Sequence, residues 1–151
     1  MTTTGARAFV DTNILLRAFH NQMEHHTEAK ALIEKMWDDG VELWISRQVI
    51  REYLVQVTHP RTFIQPLSLE QVMLQIQSIQ SLFHVADETQ DVTTQLLTLL
   101  RNYPTQGKQV HDANLVATML VNHIDTLLTI NVDDLKRFQP EIKLIPLKVK
   151  T

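Results

Sequence analysis

The chain has 151 residues, of which 44% are hydrophobic and 21% are charged, and this ordinary globular composition suits one domain spanning residues 1–151. It contains no cysteine, which excludes disulfides, thiolate metal sites and cysteine nucleophiles. The formal net charge of −3 excludes a protein that binds nucleic acid through overall positive charge alone. A nucleic-acid partner would need local basic groups or bound cations.

Hydropathy gives no sign of a membrane protein. No apolar run approaches the roughly 20 residues that cross a bilayer. Residues 1–5 are polar and lack the apolar centre of a signal peptide. We therefore expect a cytoplasmic protein with no membrane partner.

Strand-like and helix-like segments alternate along the chain. Apolar periodicity, Gly and Pro breaks and capping residues such as Ser46 and Ser68 mark their limits. Strands are predicted at residues 8–10, 41–45, 83–86, 126–130 and 143–147, and the intervening segments are predicted to be mainly helical. This alternation favours a parallel sheet that is covered on both faces.

Asp11 is the first candidate for chemistry, because it directly follows the apolar strand at residues 8–10. Ligands of parallel α/β sheets bind where the strands end, and a carboxylate at the end of a buried strand is costly unless it is paired. A turn-forming Asp after a strand is also common, so this position alone does not establish a site.

Asp112 lies within the apolar stripe of a helix. At 100° per residue it falls close to the direction of Val116 and Met119. A charged group in that position needs a cation or several hydrogen-bond donors. Capping of the helix N-terminus is an equally good explanation. The neighbouring His111 is better explained as a solvated or capping residue than as a base.

Two further acidic positions are weaker candidates. Glu52 lies on the flank of a helix, where most glutamates are simply solvated. Asn131 and Asp134 follow another buried strand, and they also fit an N-cap residue with its acidic partner three positions later.

The candidate acids are more informative together than singly. Asp11 and the 131–134 segment follow strands, and Glu52 and Asp112 lie in or near the first turns of helices that follow a strand or loop. In a parallel sheet these positions share one edge, where three or four carboxylates would repel one another unless cations neutralised them. Oxygen ligands favour Mg²⁺ or Mn²⁺ over zinc, and such sites commonly cleave or transfer phosphates.

The ordered set of motifs resembles the PIN-domain family, which includes the VapC-type toxins of bacterial toxin–antitoxin pairs. The matching pieces, which run through almost the whole chain, are VDTN at 10–13, REYL at 51–54, HDANLVA at 111–117 and TINVDDL at 129–135. The resemblance implies an α/β/α sandwich with a central, mainly parallel sheet of about five strands. It also implies a metal-dependent endoribonuclease with an RNA substrate, a small antitoxin partner and a homodimer.

By position, Asp11, Glu52 and Asp112 match the three principal acids of the family. The last motif departs from the family pattern because Leu135 replaces the usual phenylalanine and Asn131 stands where many relatives have an acid. We therefore predict Asp134 as the fourth carboxylate. The resemblance implies that these four acids form the catalytic site and hold Mg²⁺ or Mn²⁺.

Asp133 occupies a position that the family pattern leaves unspecified. Thr12, Asn13 and Thr129 are candidates for positioning water or the substrate backbone. Candidates for phosphate contacts, each better explained as solvated surface, are Arg47, Arg51 and Lys108.

Two other classes of function are compatible with parts of the sequence. The first is a catalytically inactive PIN-like domain that binds RNA or serves as a scaffold. The retention of three acids in matching contexts argues against it. The second is a receiver-type phospho-acceptor domain, which shares the parallel sheet. The chain lacks the acid pair at the first strand and the lysine at the end of a late strand that such a domain needs.

Overall fold

A parallel sheet of five strands forms the centre of the computed structural model, which describes residues 5–149. The strands are β1 (Arg7–Val10), β2 (Glu42–Ser46), β3 (His84–Ala86), β4 (Thr126–Thr129) and β5 (Lys143–Pro146). Their order across the sheet is β3-β2-β1-β4-β5, and every neighbouring pair is parallel. Parallel pairing requires crossovers, which the helices supply.

Seven α-helices occur within the described part of the chain. They are α1 (Thr12–Phe19), α2 (His26–Asp38), α3 (Arg47–Val57), α4 (Leu69–Leu82), α5 (Gln90–Asn102), α6 (Gln109–Val121) and α7 (Val132–Leu135), and a 3₁₀ turn (Lys136–Phe138) follows α7. Hydroxyl caps begin two of them as the sequence predicts. The Ser46 hydroxyl accepts from the Val49 backbone N–H at 3.2 Å, and Ser68 and Gln71 form a capping box.

The central strand β1 is covered on both faces. Ala8, Phe9 and Val10 point alternately to opposite sides of the sheet, and all three are fully buried. Continuous apolar runs of this kind are typical of parallel strands enclosed by helices. The predicted α/β/α sandwich with a parallel five-stranded sheet is therefore confirmed.

The element ends of the structure are shifted slightly from the predicted ones, and α4 packs against the core along a narrow stripe. Val72 and Ile79 of α4 are buried, but Leu69 is 72% exposed and Met73 is 59% exposed. The two buried residues are seven positions apart and form a narrow stripe on one side of the helix. Ile76 is partly buried and packs against the core, whereas the exposed apolar side chains of α4 are Leu69, Met73, Leu74 and Leu82.

No helix among residues 5–149 combines the length and the apolar character needed to span a membrane.

Candidate active site

Asp11 lies at the carboxyl end of the central strand β1, where it begins α1. It is only 7% exposed. The Thr12 backbone N–H donates to its Oδ1 at 2.8 Å, and the Thr129 hydroxyl donates to its Oδ2 at 2.8 Å. These two donors fix the carboxyl group, but both are neutral. Burial raises the pKa of Asp11 to about 6, and the charges of Glu52 and Asp134 add to the rise.

Glu52 extends from α3 toward the same edge of the sheet. The Thr12 hydroxyl donates to its Oε2 at 2.7 Å, and the Gln48 amide donates to its Oε1 at 2.9 Å. Each carboxylate oxygen of Glu52 therefore accepts one hydrogen bond from a neutral donor. Thr12 binds Asp11 through its backbone and Glu52 through its side chain, so it links the two acids.

Asp112 lies in the first turn of α6 and is half-buried. Burial raises its pKa to about 6, with further contributions from the charges of Asp11, Asp134 and Glu52. Arg137 acts in the opposite direction. The same three acids that the sequence singles out thus lie close enough to Asp112 to disfavour its ionisation.

The segment between β4 and α7 supplies Asn131, Asp133 and Asp134. Asn131 occupies the N-cap position of α7 but makes no side-chain capping bond, and its backbone N–H donates to the Thr129 hydroxyl at 3.0 Å. Asp134 is exposed, and its charge raises the pKa values of Asp11 and Asp112. Asp133 is 96% exposed and pairs with Lys136 at 3.7 Å. Only Asp134 of the two acids therefore acts electrostatically on the cluster.

A cleft of about 240 Å³ opens beside Asp11, Glu52 and Asp112, and Asp134 is not among the residues that line it. Eight residues line it: Asp11, Thr12, Asn13, Glu52, Val55, Gln56, Asp112 and Asn131. Its polar lining offers carboxylate, amide and hydroxyl oxygens, the donor set that suits Mg²⁺ or Mn²⁺. Within residues 5–149, no three acidic or histidine side chains are already gathered into a metal-ligand arrangement. The donor chemistry fits a divalent cation, and burial together with the neighbouring acids raises the pKa values of Asp11 and Asp112.

The suggested roles of three small polar residues are refined by the structure. Thr12 and Thr129 donate their hydroxyl hydrogens to Glu52 and Asp11, so they orient carboxylates. Asn13 lines the cleft, where it is available to a ligand.

Two of the three suggested phosphate-binding residues are engaged elsewhere. Arg47 pairs with Asp87 at 3.0 Å, and Arg51 pairs with Glu88 at 3.2 Å, both on the surface. Lys108 is exposed just before α6.

Arg137 was missed by the sequence analysis. Its Nη1 donates to the Pro104 carbonyl and the Gln109 side-chain oxygen, each at 2.8 Å. These contacts hold the guanidinium near Asp112, whose pKa it lowers. Its position results from contacts with Pro104 and Gln109, which are 33 and 28 residues away in sequence, and no local motif reveals them.

Gln48 was missed as well. It is a polar side chain that is only 3% exposed, and it contacts Glu52, the His111 carbonyl and Asn114. Gln48 lies one turn before Glu52 on the same flank of α3, and this spacing in the sequence could have identified it.

The parallel sheet and the acids beside the cleft at its edge define an α/β domain with a candidate acidic site. A model of the PIN domain family matches residues 8–139. The chain belongs to the PIN domain family, and the resemblance seen in its motifs is confirmed. No curated protein matches the chain.

Solved structures of toxin–antitoxin proteins have a similar fold. VapBC2 from Rickettsia felis, bound to a promoter DNA fragment, matches with a TM-score of 0.68 and 18% identity, covering 94% of this chain and 99% of that chain. A toxin–antitoxin complex from Klebsiella pneumoniae matches with a TM-score of 0.66 and 21% identity, covering 93% and 98%. VapC20 from Mycobacterium tuberculosis, a toxin that cleaves the sarcin–ricin loop, matches with a TM-score of 0.62 and 17% identity, covering 84% and 92%.

Replacing Asp112 by Asn should stabilise the metal-free protein at neutral and alkaline pH. The pKa of Asp112 is higher in the fold than its ordinary value of 3.8, so the fold favours the protonated form. Stability therefore falls as pH rises from about 4 to about 6, and the whole penalty remains above that range. Asn removes it. We expect a gain of about 1–2 kcal/mol at pH 8, allowing for solvent screening of a half-buried group.

Urea unfolding in EDTA at pH 8 and pH 4 measures this gain. The wild type should come close to Asp112→Asn in stability at pH 4, where Asp112 is already neutral in the folded protein. Asp133→Asn serves as the exposed control and should change little at either pH. A lower stability of Asp112→Asn at pH 8 would contradict the electrostatic account of the site.

Proposed function

We propose that this protein is a metal-dependent endoribonuclease and the toxin of a toxin–antitoxin pair. The observation that carries the proposal is the convergence of Asp11, Glu52, Asp112 and Asp134 at one sheet edge, where the pKa values of Asp11 and Asp112 rise to about 6. Membership of the PIN domain family, whose nucleases generally use divalent metal ions, supports the same function.

The four acids are proposed to hold Mg²⁺ or Mn²⁺. Asp11 and Asp112 would bind the cation directly, and Glu52 and Asp134 would bind it directly or through water. A bound divalent cation supplies positive charge that lowers the pKa of water and offsets the charge on a scissile phosphate. The chain's own part is to orient the carboxylates, which the hydroxyls of Thr12 and Thr129 do for Glu52 and Asp11.

Arg137 is the best candidate in this structure for a phosphate contact. Its Nη1 is anchored by neutral acceptors, and it forms no ion pair with an acid among residues 5–149. The rest of the guanidinium is therefore free to donate to a phosphate oxygen. Its planar group of N–H donors suits the binding of phosphate through two parallel hydrogen bonds. The Arg137 guanidinium would supply local positive charge for RNA in a protein whose net charge is −3.

The partners follow from the same proposal. The similar structures from Rickettsia felis and Klebsiella pneumoniae are toxin–antitoxin assemblies, and we propose a small antitoxin protein for this chain. A homodimer and a cytoplasmic location complete the proposal. Light scattering of the purified chain tests the dimer, and the reading frame adjacent to its gene tests the antitoxin.

The alternative function is a PIN-like domain that binds RNA or serves as a scaffold without cleaving. Incubation of mixed RNA with the wild type in Mn²⁺ and in EDTA separates the two functions. Cleavage in Mn²⁺ that EDTA abolishes supports the nuclease. RNA binding without cleavage in Mn²⁺ or Mg²⁺ would support the alternative.

Replacing Asp11 or Asp112 by Asn should abolish metal-dependent cleavage while leaving a folded protein. Each substitution removes a charge at the centre of the cluster, and losses of about 10²–10⁴-fold in rate are typical for such groups. The rate is measured by gel analysis of RNA cleavage, with circular dichroism to verify the fold. Asp133→Asn is the control. Normal turnover by folded Asp112→Asn would refute the proposed function.

A further comparison tests which acid completes the site. Asp134→Ala should lower the cleavage rate by orders of magnitude with little loss of stability, because Asp134 is exposed but acts on Asp11 and Asp112. Asp133→Ala should leave the rate unchanged. If Asp134 served only as a helix-capping partner, its loss would instead cost about 0.5–2 kcal/mol of stability and leave catalysis by the folded protein intact. A rate defect at Asp133 rather than Asp134 would show that the last motif is misaligned.

A further inference from the structure

Gln48 is a buried polar side chain that makes three hydrogen bonds around the candidate site. Its Nε2 donates to Glu52 Oε1 at 2.9 Å and to the His111 carbonyl at 2.8 Å. Its Oε1 accepts from Asn114 Nδ2 at 2.8 Å. The side chain is 3% exposed, so these bonds are sheltered from competing water.

The orientation of the Gln48 amide follows from its neighbours. The His111 carbonyl can only accept a hydrogen bond, so the amide NH₂ group must face it. Asn114 donates from the opposite side and requires the Gln48 oxygen there. A flipped amide would place oxygen against both the His111 carbonyl and the Glu52 carboxylate. The contacts from α6 therefore present an N–H donor to Glu52.

These contacts connect two helices that carry candidate metal ligands. Gln48 and Glu52 lie one turn apart on α3, and His111 and Asn114 flank Asp112 on α6. Together with the Thr12 hydroxyl on Oε2, the Gln48 donor fixes both oxygens of Glu52. Neither donor is charged, so both orient Glu52 without neutralising it.

We propose that Gln48 is a positioning residue, which holds the Glu52 carboxylate in place relative to Asp112 and thereby strengthens the binding of a divalent cation. This inference rests on the proposed function, because it takes Glu52 and Asp112 as metal ligands. Gln48 itself contacts neither the metal nor the substrate. Residues that orient metal ligands in this way typically contribute about 10–100-fold to metal affinity.

The test is calorimetric titration of the folded protein with Mn²⁺, without RNA. Gln48→Met keeps a side chain of similar length but removes the donor to Glu52 and the acceptor for Asn114. Gln48→Met should weaken Mn²⁺ binding by about 10–100-fold. Unchanged affinity in folded Gln48→Met, with normal Mn²⁺ binding by the wild type, would overturn this inference alone. A wild type that binds no Mn²⁺ would overturn the proposed function together with it.

Gln75→Met is a matched control for the loss of a partly buried amide. Gln75 on α4 accepts a hydrogen bond from the Tyr53 hydroxyl at 2.8 Å, and it does not contact an acid of the site. Gln75→Met should lower the melting temperature but leave Mn²⁺ affinity unchanged. An equal loss of Mn²⁺ affinity in both variants would assign the effect of Gln48→Met to general destabilisation and overturn the inference.

A double-mutant cycle shows whether Gln48 acts through Glu52. Glu52→Gln should weaken Mn²⁺ binding, and adding Gln48→Met to it should cause little further loss. Losses that multiply in the double variant would overturn the positioning role. If Gln48→Met does not fold, Asn114→Ala tests the same contacts, because it removes the α6 donor to the Gln48 oxygen. It should weaken Mn²⁺ binding in the same direction by a smaller factor, and unchanged affinity would again contradict the inference.

Discussion

The burial of carboxylates close to one another is the constraint on which the site depends. Burial and neighbouring negative charges raise the pKa values of Asp11 and Asp112 to about 6. The groups that contact the buried acids are neutral hydroxyl, amide and backbone donors, which orient a carboxylate without cancelling its charge. Such an arrangement costs stability in the absence of a cation and favours the binding of one.

The fold imposes this crowding through the geometry of a parallel sheet. β1 and β4 are adjacent at the centre of the sheet, and their carboxyl ends place Asp11 beside Thr129. The strand order then brings α3 and α6 to the same edge, with Glu52 on one and Asp112 on the other. These four residues come from separate parts of the chain and lie at one edge because the parallel strands end at the same edge of the sheet. Gln48 links the two helices at this edge.

Local patterns predicted much of the fold and the positions of the candidate acids. Apolar runs marked the strands, and the hydroxyl caps at Ser46 and Ser68 marked two helix starts. Asp112 was conspicuous because an acid in an apolar stripe is costly. Gln48 could not be found in the same way, since its burial depends on an α6 carbonyl 63 residues away. The exposure of Leu69 on α4 likewise depends on which helix face meets the core.

The most direct test of the account is the release of protons when Mn²⁺ binds. At pH 6 the carboxyl groups of Asp11 and Asp112 are about half protonated, and a cation between them should displace roughly one proton in total. At pH 8 both are ionised, and almost none should be released. Calorimetric titration in buffers of different ionisation enthalpy measures this number. The account predicts proton release at pH 6 that disappears at pH 8, and Mn²⁺ binding with no proton release at pH 6 would contradict it.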